Sequence, residues 1–125
     1  MSFDWSEYLT LAHELAGEVS VPSSRESKLR SAISRAYYAA FCRARNHLRE
    51  TQPHGIPRGP EVHKYVQNQF LSSRDPARKK IGTNLERMRD GRNKADYDDS
   101  VPGLDEIAEV TLTQSGEVIS ALFRI

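Results

Sequence analysis

Apolar residues recur along this chain at spacings of three, four and seven. That is the signature of one face of a 3.6-residue helix. No stretch shows the two-residue alternation of a half-buried strand. Residues 4–20 place Trp5, Tyr8, Leu9, Ala12, Leu15, Ala16 and Val19 on one stripe and predict a first helix. "SSRE" at Ser23–Glu26 has the form of a capping box, with serine at the N-cap and glutamate three later. It opens a long helix to about Glu50, with Leu29, Ile33, Ala36, Tyr37, Ala40, Phe41, Ala44 and Leu48 facing inward. "TQPHGIPRGP" holds three prolines and two glycines and predicts a loop over 51–60. A short helix over Glu61–Ser72 follows, showing Val62, Val66 and Phe70. Asp75 with Pro76 behind it marks the next helix start. That helix carries Ile81, Leu85, Met88 and Ala95 and ends around Ala95–Tyr97. After the turn "DDSVPG", a last helix runs from about Leu104 to Leu122, with Leu104, Ile107, Ala108, Thr111, Val118, Ile119 and Leu122 on one face. The pattern predicts an all-α bundle of four or five helices. It reads as one domain over residues 1–125, without repeats.

One position breaks the pattern. Arg92 falls four after Met88 and three before Ala95, inside the apolar row. A buried guanidinium costs about 3–5 kcal/mol unless it is paired. Asp96, four residues on, is a structural partner within reach along the helix. Ser34 and Tyr38 of the long helix are candidates to complete its shell. The competing reading is that Arg92 and Asn93 present donors at a cleft, where an arginine can stabilise a phosphorane-like transition state.

Charge sharpens this picture. The net charge is +1, but Arg25–Glu50 holds seven basic and two acidic residues, and Arg74–Lys94 holds eight and three. Asp96–Glu117 holds seven acids and no base. Two basic helices between acidic segments either neutralise their neighbours or present cations to a phosphate backbone. On the long helix, Arg35, Tyr38, Cys42, Arg45 and Arg49 share a face displaced from the apolar row. Arginines with an interleaved aromatic suit RNA, the cations on phosphate and the ring on a base. A solvated face or a dimer contact would use the same residues.

Other chemistry is sparse. The four histidines, His13, His47, His54 and His63, lie in four segments and form no metal-binding pair at helical spacing. No metal and no cofactor is expected. Cys42 is the single cysteine and reads as a packing residue. There is no P-loop, no nucleophile elbow, no apolar run of membrane-spanning length and no signal-peptide pattern, so a soluble cytoplasmic protein is expected.

Three stretches, "SAISRAYYAAFCRARNHL" (Ser31–Leu48), "EVHKYVQNQF" (Glu61–Phe70) and "RMRDGRNKADYDD" (Arg87–Asp99), together resemble the HEPN family, in particular its small single-domain prokaryotic branch. The likeness extends in order and spacing over roughly residues 5–122. It implies an up-and-down helical bundle that commonly dimerises, bringing two polar motifs together across a cleft. Catalytic members of the family are metal-independent ribonucleases. They carry an arginine, a polar neighbour, and a histidine four to six residues further on. Arg92 and Asn93 match the first two, and Tyr97 stands where the histidine is expected. No histidine follows His63. His63 matches the branch's His-Lys segment, to which the resemblance assigns no catalytic role.

Two functions follow as expectations. The first is an RNA-directed protein of a toxin–antitoxin or defence system, with Arg92, Asn93 and Tyr97 as candidate catalytic residues. Its candidate RNA-binding residues are Arg35, Tyr38, Arg45 and Arg49. The second is a non-catalytic homodimeric module that binds a protein partner such as a nucleotidyltransferase-like cognate antitoxin. There Arg92 ties helix ends together or joins the dimer contact.

Overall fold

The computed structural model describes residues 3–15 and 22–125, and these residues form helices and no strand. The helices are α1 (Glu7–Leu15), α2 (Arg25–Thr51), α3 (Val62–Leu71), α4 (Pro76–Tyr97) and α5 (Leu104–Leu122). Helix α2 is the central element and packs against all four others, while α4 also packs on α3 and α5. The bundle expected from the apolar spacing is present, and the last helix has the bounds that its apolar row suggests.

Local chemistry explains most boundaries. Asp75 accepts a hydrogen bond from the Ala77 amide at 3.3 Å, and Pro76, which has no amide hydrogen to satisfy, occupies the first turn of α4. Helix α2 is capped one residue later than the sequence pattern suggests. Ser24, not Ser23, is the N-cap; its hydroxyl accepts from the Ser27 amide at 3.1 Å. The third position after this cap is a serine, so the reciprocal glutamate bond of a capping box is not made. Glu26 instead pairs with Arg30, and Ser23 donates to Glu14. Gly103 starts α5 with φ of 70°, a left-handed conformation that favours glycine.

The main core joins Tyr37, Phe41 and Leu48 of α2, Val66 and Phe70 of α3, Ile81, Leu85 and Met88 of α4, and Val118 and Leu122 of α5. A second cluster joins Ile33, Ala95 and Ala108. Alanines 40 and 44 are fully buried, so α2 lies close to its neighbours. Cys42 is half-buried against this core, as its place beside the apolar row suggests.

The first helix departs from expectation. It begins at Glu7, because Asp4 accepts from the Ser6 amide and hydroxyl and holds a turn over residues 5–6. Leu9, Ala12 and Leu15, expected inward, are exposed, whereas Leu11 and Phe3 are buried. The physical reason is that α1 packs on α2 alone, and a single line of contact covers one narrow row of a helix. Ala16, Val19 and the side chain of Tyr8 lie outside the described residues.

Arg30, not Arg92, ties the helix ends together. Its side chain is fully buried. Its Nη1 donates to the carbonyls of Ala95 and Asp98, each at 2.8 Å, and Nη2 donates to that of Asp99 at 3.3 Å. Nε donates to Glu26 at 3.1 Å. The guanidinium also lies 4.4 Å from the Phe3 ring centroid and 4.9 Å from that of Trp5. Trp5 Nε1 in turn donates to Asp99 at 2.8 Å. A planar fork of five donors suits this task, since the end of α4 offers several carbonyls without helical partners.

Candidate nucleic-acid interface

Arg92 is buried in its apolar row, with 8% of its surface exposed. Its Nη1 reaches Asp96 Oδ2 at 3.5 Å, a long contact for a charged pair. Ser34 donates to the same carboxylate oxygen at 3.4 Å, so α2 supports the pair through Asp96. Tyr38 contributes its ring rather than its hydroxyl. The Arg92 guanidinium lies 5.4 Å from the ring centroids of both Tyr37 and Tyr38, within cation–π range. Arg92 Nε is buried without a hydrogen-bond partner, and so is Nε of Arg89, one turn earlier on α4. Asp96 thus uses one edge of the guanidinium and leaves donor capacity on the other.

The ring cluster under Arg92 reaches α3. Tyr37 is almost fully buried, and its hydroxyl lies 2.7 Å from His63 Nδ1, sharing a hydrogen bond. The His63 ring stacks on Phe41 at 4.2 Å between centroids and meets Tyr38 edge-on at 5.8 Å. Burial drives the Tyr37 hydroxyl up to about 12, against the pull of Arg89 and Arg92, so it stays a neutral phenol. Burial also lowers the His63 imidazole below its usual value. The nearby charges of Arg92, Arg89 and Arg45 push it the same way. At neutral pH this ring is an uncharged imidazole set among cations.

The two sequence motifs meet at one residue. Tyr38, 38% exposed, belongs both to the arginine stripe of α2 and to the shell of Arg92. Arg45 sits half-buried over Phe41 at 5.9 Å and acts on His63. Arg35 is exposed beyond Tyr38, with Nε donating to Ser31, and Arg49 is exposed at the far end of α2. A cleft of about 290 Å³, lined by Leu11, Ala12, Leu15, Ser34, Arg35 and Asp96, opens on the α1 side. Asn93 and Tyr97 are exposed on α4, Tyr97 at 72%. Five residues of helix turn Tyr97 roughly 140° from Arg92, so the two side chains do not share a face.

The acidic helix neutralises a different side of the molecule. Asp105 of α5 meets Arg25 at 3.3 Å, and Glu117 meets Lys80 at 3.8 Å. Neutralisation between neighbouring helices is therefore present at these two pairs. Among the described residues no group of three or more metal-binding side chains converges. No helix among them is long and apolar enough to cross a membrane.

Sequence reasoning missed His63, Arg89, Tyr37 and Arg30 as parts of polar clusters. The signal was present for two of them. His63 lies three before Val66 and seven before Phe70, on the apolar row of α3; Arg30 lies three before Ile33 and seven before Tyr37. The same spacing that singles out Arg92 marks them both.

A family model for the HEPN domain matches residues 18–125. No curated protein and no solved structure matches the chain.

Proposed function

The chain belongs to the HEPN domain family, and from that premise we propose that it is an RNA-directed protein of a toxin–antitoxin or defence system, a metal-independent ribonuclease acting at Arg92. One observation carries the reading. The Arg92 guanidinium is buried on two tyrosine rings with an unpartnered Nε, and the uncharged His63 imidazole stands against the same rings. A buried cation with donors to spare stabilises charge that develops on a phosphate during the reaction, because the low dielectric weakens it little. Arg35, Tyr38, Arg45 and Arg49 lead the RNA strand along α2 toward that point. Asn93 and Tyr97, on the exposed side of α4, contact the strand beyond it.

The test is RNA binding by fluorescence anisotropy together with cleavage in EDTA. Arg92→Ala is expected to stay folded and to lose cleavage. Glutamine at Arg35, Arg45 or Arg49 is expected to weaken binding for all sequences and to lower the salt slope by about one unit for each cation removed from a phosphate. No cleavage by the wild type, with binding insensitive to salt, would refute the reading.

A second reading has its own observation. Leu9 and Leu15 of α1 and Val110 and Leu112 of α5 are exposed apolar residues. A homodimer, or a complex with a nucleotidyltransferase-like antitoxin, would cover them. HEPN domains commonly dimerise, and sedimentation at tens of micromolar tests this for the present chain.

A further inference from the structure

We infer that His63, supplied by α3 from outside the arginine motif, is the general base of the RNA-cleaving site, in the place that the sequence pattern gives to Tyr97. This rests on reading the Arg92 cluster as a ribonuclease site. Three features of its surroundings fit a base. Its Nδ1 is engaged by Tyr37 at 2.7 Å, the one hydrogen bond of the ring among the described residues. In the tautomer that donates from Nδ1 to the phenolic oxygen, Nε2 keeps its lone pair. The ring plane is fixed by stacking on Phe41 at 4.2 Å and by the edge contact with Tyr38. The residue is part-exposed, unlike Tyr37, as a base that must meet a substrate requires.

The charged neighbours are arranged for a neutral base. The groups acting on His63 are Arg45 and Tyr37 from α2 and Arg89 and Arg92 from α4, with Asp96 drawn to Arg92. Burial first, and then these cations, disfavour the protonated imidazole in the free protein. A phosphate diester bound to Arg89 and Arg92 would offset that effect and strengthen the base as the substrate arrives. Tyr97 has none of this. It is exposed on α4, turned roughly 140° away from Arg92.

The step balances without a co-reactant. His63 Nε2 takes the proton of a ribose 2′-hydroxyl, and the 2′-oxygen forms a bond to the adjacent phosphorus. The bond from that phosphorus to the 5′-oxygen of the next nucleotide breaks. The departing oxygen takes a proton from water, and the imidazolium returns its proton to the hydroxide left behind. The products are a 2′,3′-cyclic phosphate and a 5′-hydroxyl end. Arg92, with Arg89, stabilises the charge on the phosphate oxygens throughout.

The experiment is cleavage of a mixed RNA pool in EDTA by the wild type, Arg92→Ala, His63→Gln and Tyr97→Phe, each checked for fold by circular dichroism. His63→Gln is expected to lose about 10²–10⁴ of the rate. Folded His63→Gln that cleaves within threefold of wild type, while Arg92→Ala is inactive, overturns the assignment and leaves the ribonuclease reading standing. Loss in Tyr97→Phe with retention in His63→Gln gives the role to Tyr97. A wild type that does not cleave overturns both. Should His63→Gln unfold, the wild type decides. The rising limb of its pH–rate profile is expected to share its midpoint with the His63 imidazole titration followed by NMR. A separation above about one pH unit overturns the assignment. The same NMR titration with an uncleavable oligonucleotide, 2′-deoxy at every position, is expected to raise the His63 midpoint. No shift in the presence of demonstrated binding places the oligonucleotide elsewhere and refutes the role.

Discussion

Replacing Arg30 with methionine removes a charge but keeps most of the volume, so it isolates the polar role of the residue. The side chain is fully buried, and two of its hydrogen bonds, to the carbonyls of Ala95 and Asp98, are 2.8 Å long. A bond from a charged donor contributes about 1.5–3 kcal/mol, and a carbonyl stranded without water costs about 1–3 kcal/mol. The Ala95 carbonyl is in buried surroundings and takes the full penalty; that of Asp98 is part-buried and recovers some of its loss from water. The expected destabilisation is therefore about 3–5 kcal/mol, a large share of the ~5–15 kcal/mol typical of a domain. Arg30→Lys is expected to fall between, because an ammonium cannot span three carbonyls with one fork. The assay is urea unfolding followed at 222 nm and by tryptophan fluorescence. Trp5 is the only tryptophan, and it both faces the guanidinium and donates to Asp99. A shift in its emission should accompany the loss of stability. A methionine variant within about 1 kcal/mol of wild type would refute the reasoning, because it would mean that the end of α4 does not depend on donors from α2.

Two further perturbations test the packing and the histidines. An added Cβ at Gly82 would lie 2.5 Å from the Leu71 backbone nitrogen, so α3 and α4 would have to separate. Gly82→Ala is expected to destabilise by about 1–3 kcal/mol despite alanine's higher helix propensity, and stabilisation in a thermal melt would show that the two helices do not cross so closely. His63 and His47 both titrate below the usual 6.5, each chiefly through burial. The unfolded chain then takes up those protons first, so stability is expected to fall as pH drops below about 6.5 and to level off below the folded values. His63→Gln should flatten that slope when unfolding midpoints are measured between pH 8 and pH 5, and an unchanged slope would refute the role of His63 in it.

Much of this protein is written locally. The bounds of α5, the Asp75–Pro76 start of α4 and the burial of Ile81, Leu85, Met88 and Ala95 follow from spacing and capping alone, which act within a few residues. The same locality exposed Arg92 as a buried charge and named Asp96 as its partner. It failed where a row of side chains does not say what it faces. The apolar residues of α1 have helical spacing, yet Leu9 and Leu15 stay exposed because only one helix packs against them. Ser23 and Ser24 both suit a cap; Ser23 is engaged by Glu14, and Ser24 caps α2.

The sequence by itself therefore determined the helices, the buried arginine and the cationic stripe of α2. Only the tertiary structure decided what stands beside them. His63 lies 26 residues from Tyr37 and closer still in sequence to the loop than to Arg92, yet packing of α3 sets its ring against Phe41 and Tyr38, under the charge of Arg92. Arg30 meets the end of α4 across 65 to 69 residues of chain. Periodicity carries the direction in which a side chain points along its own helix. It carries nothing about which helix it meets, because that depends on the combined packing of all the faces at once.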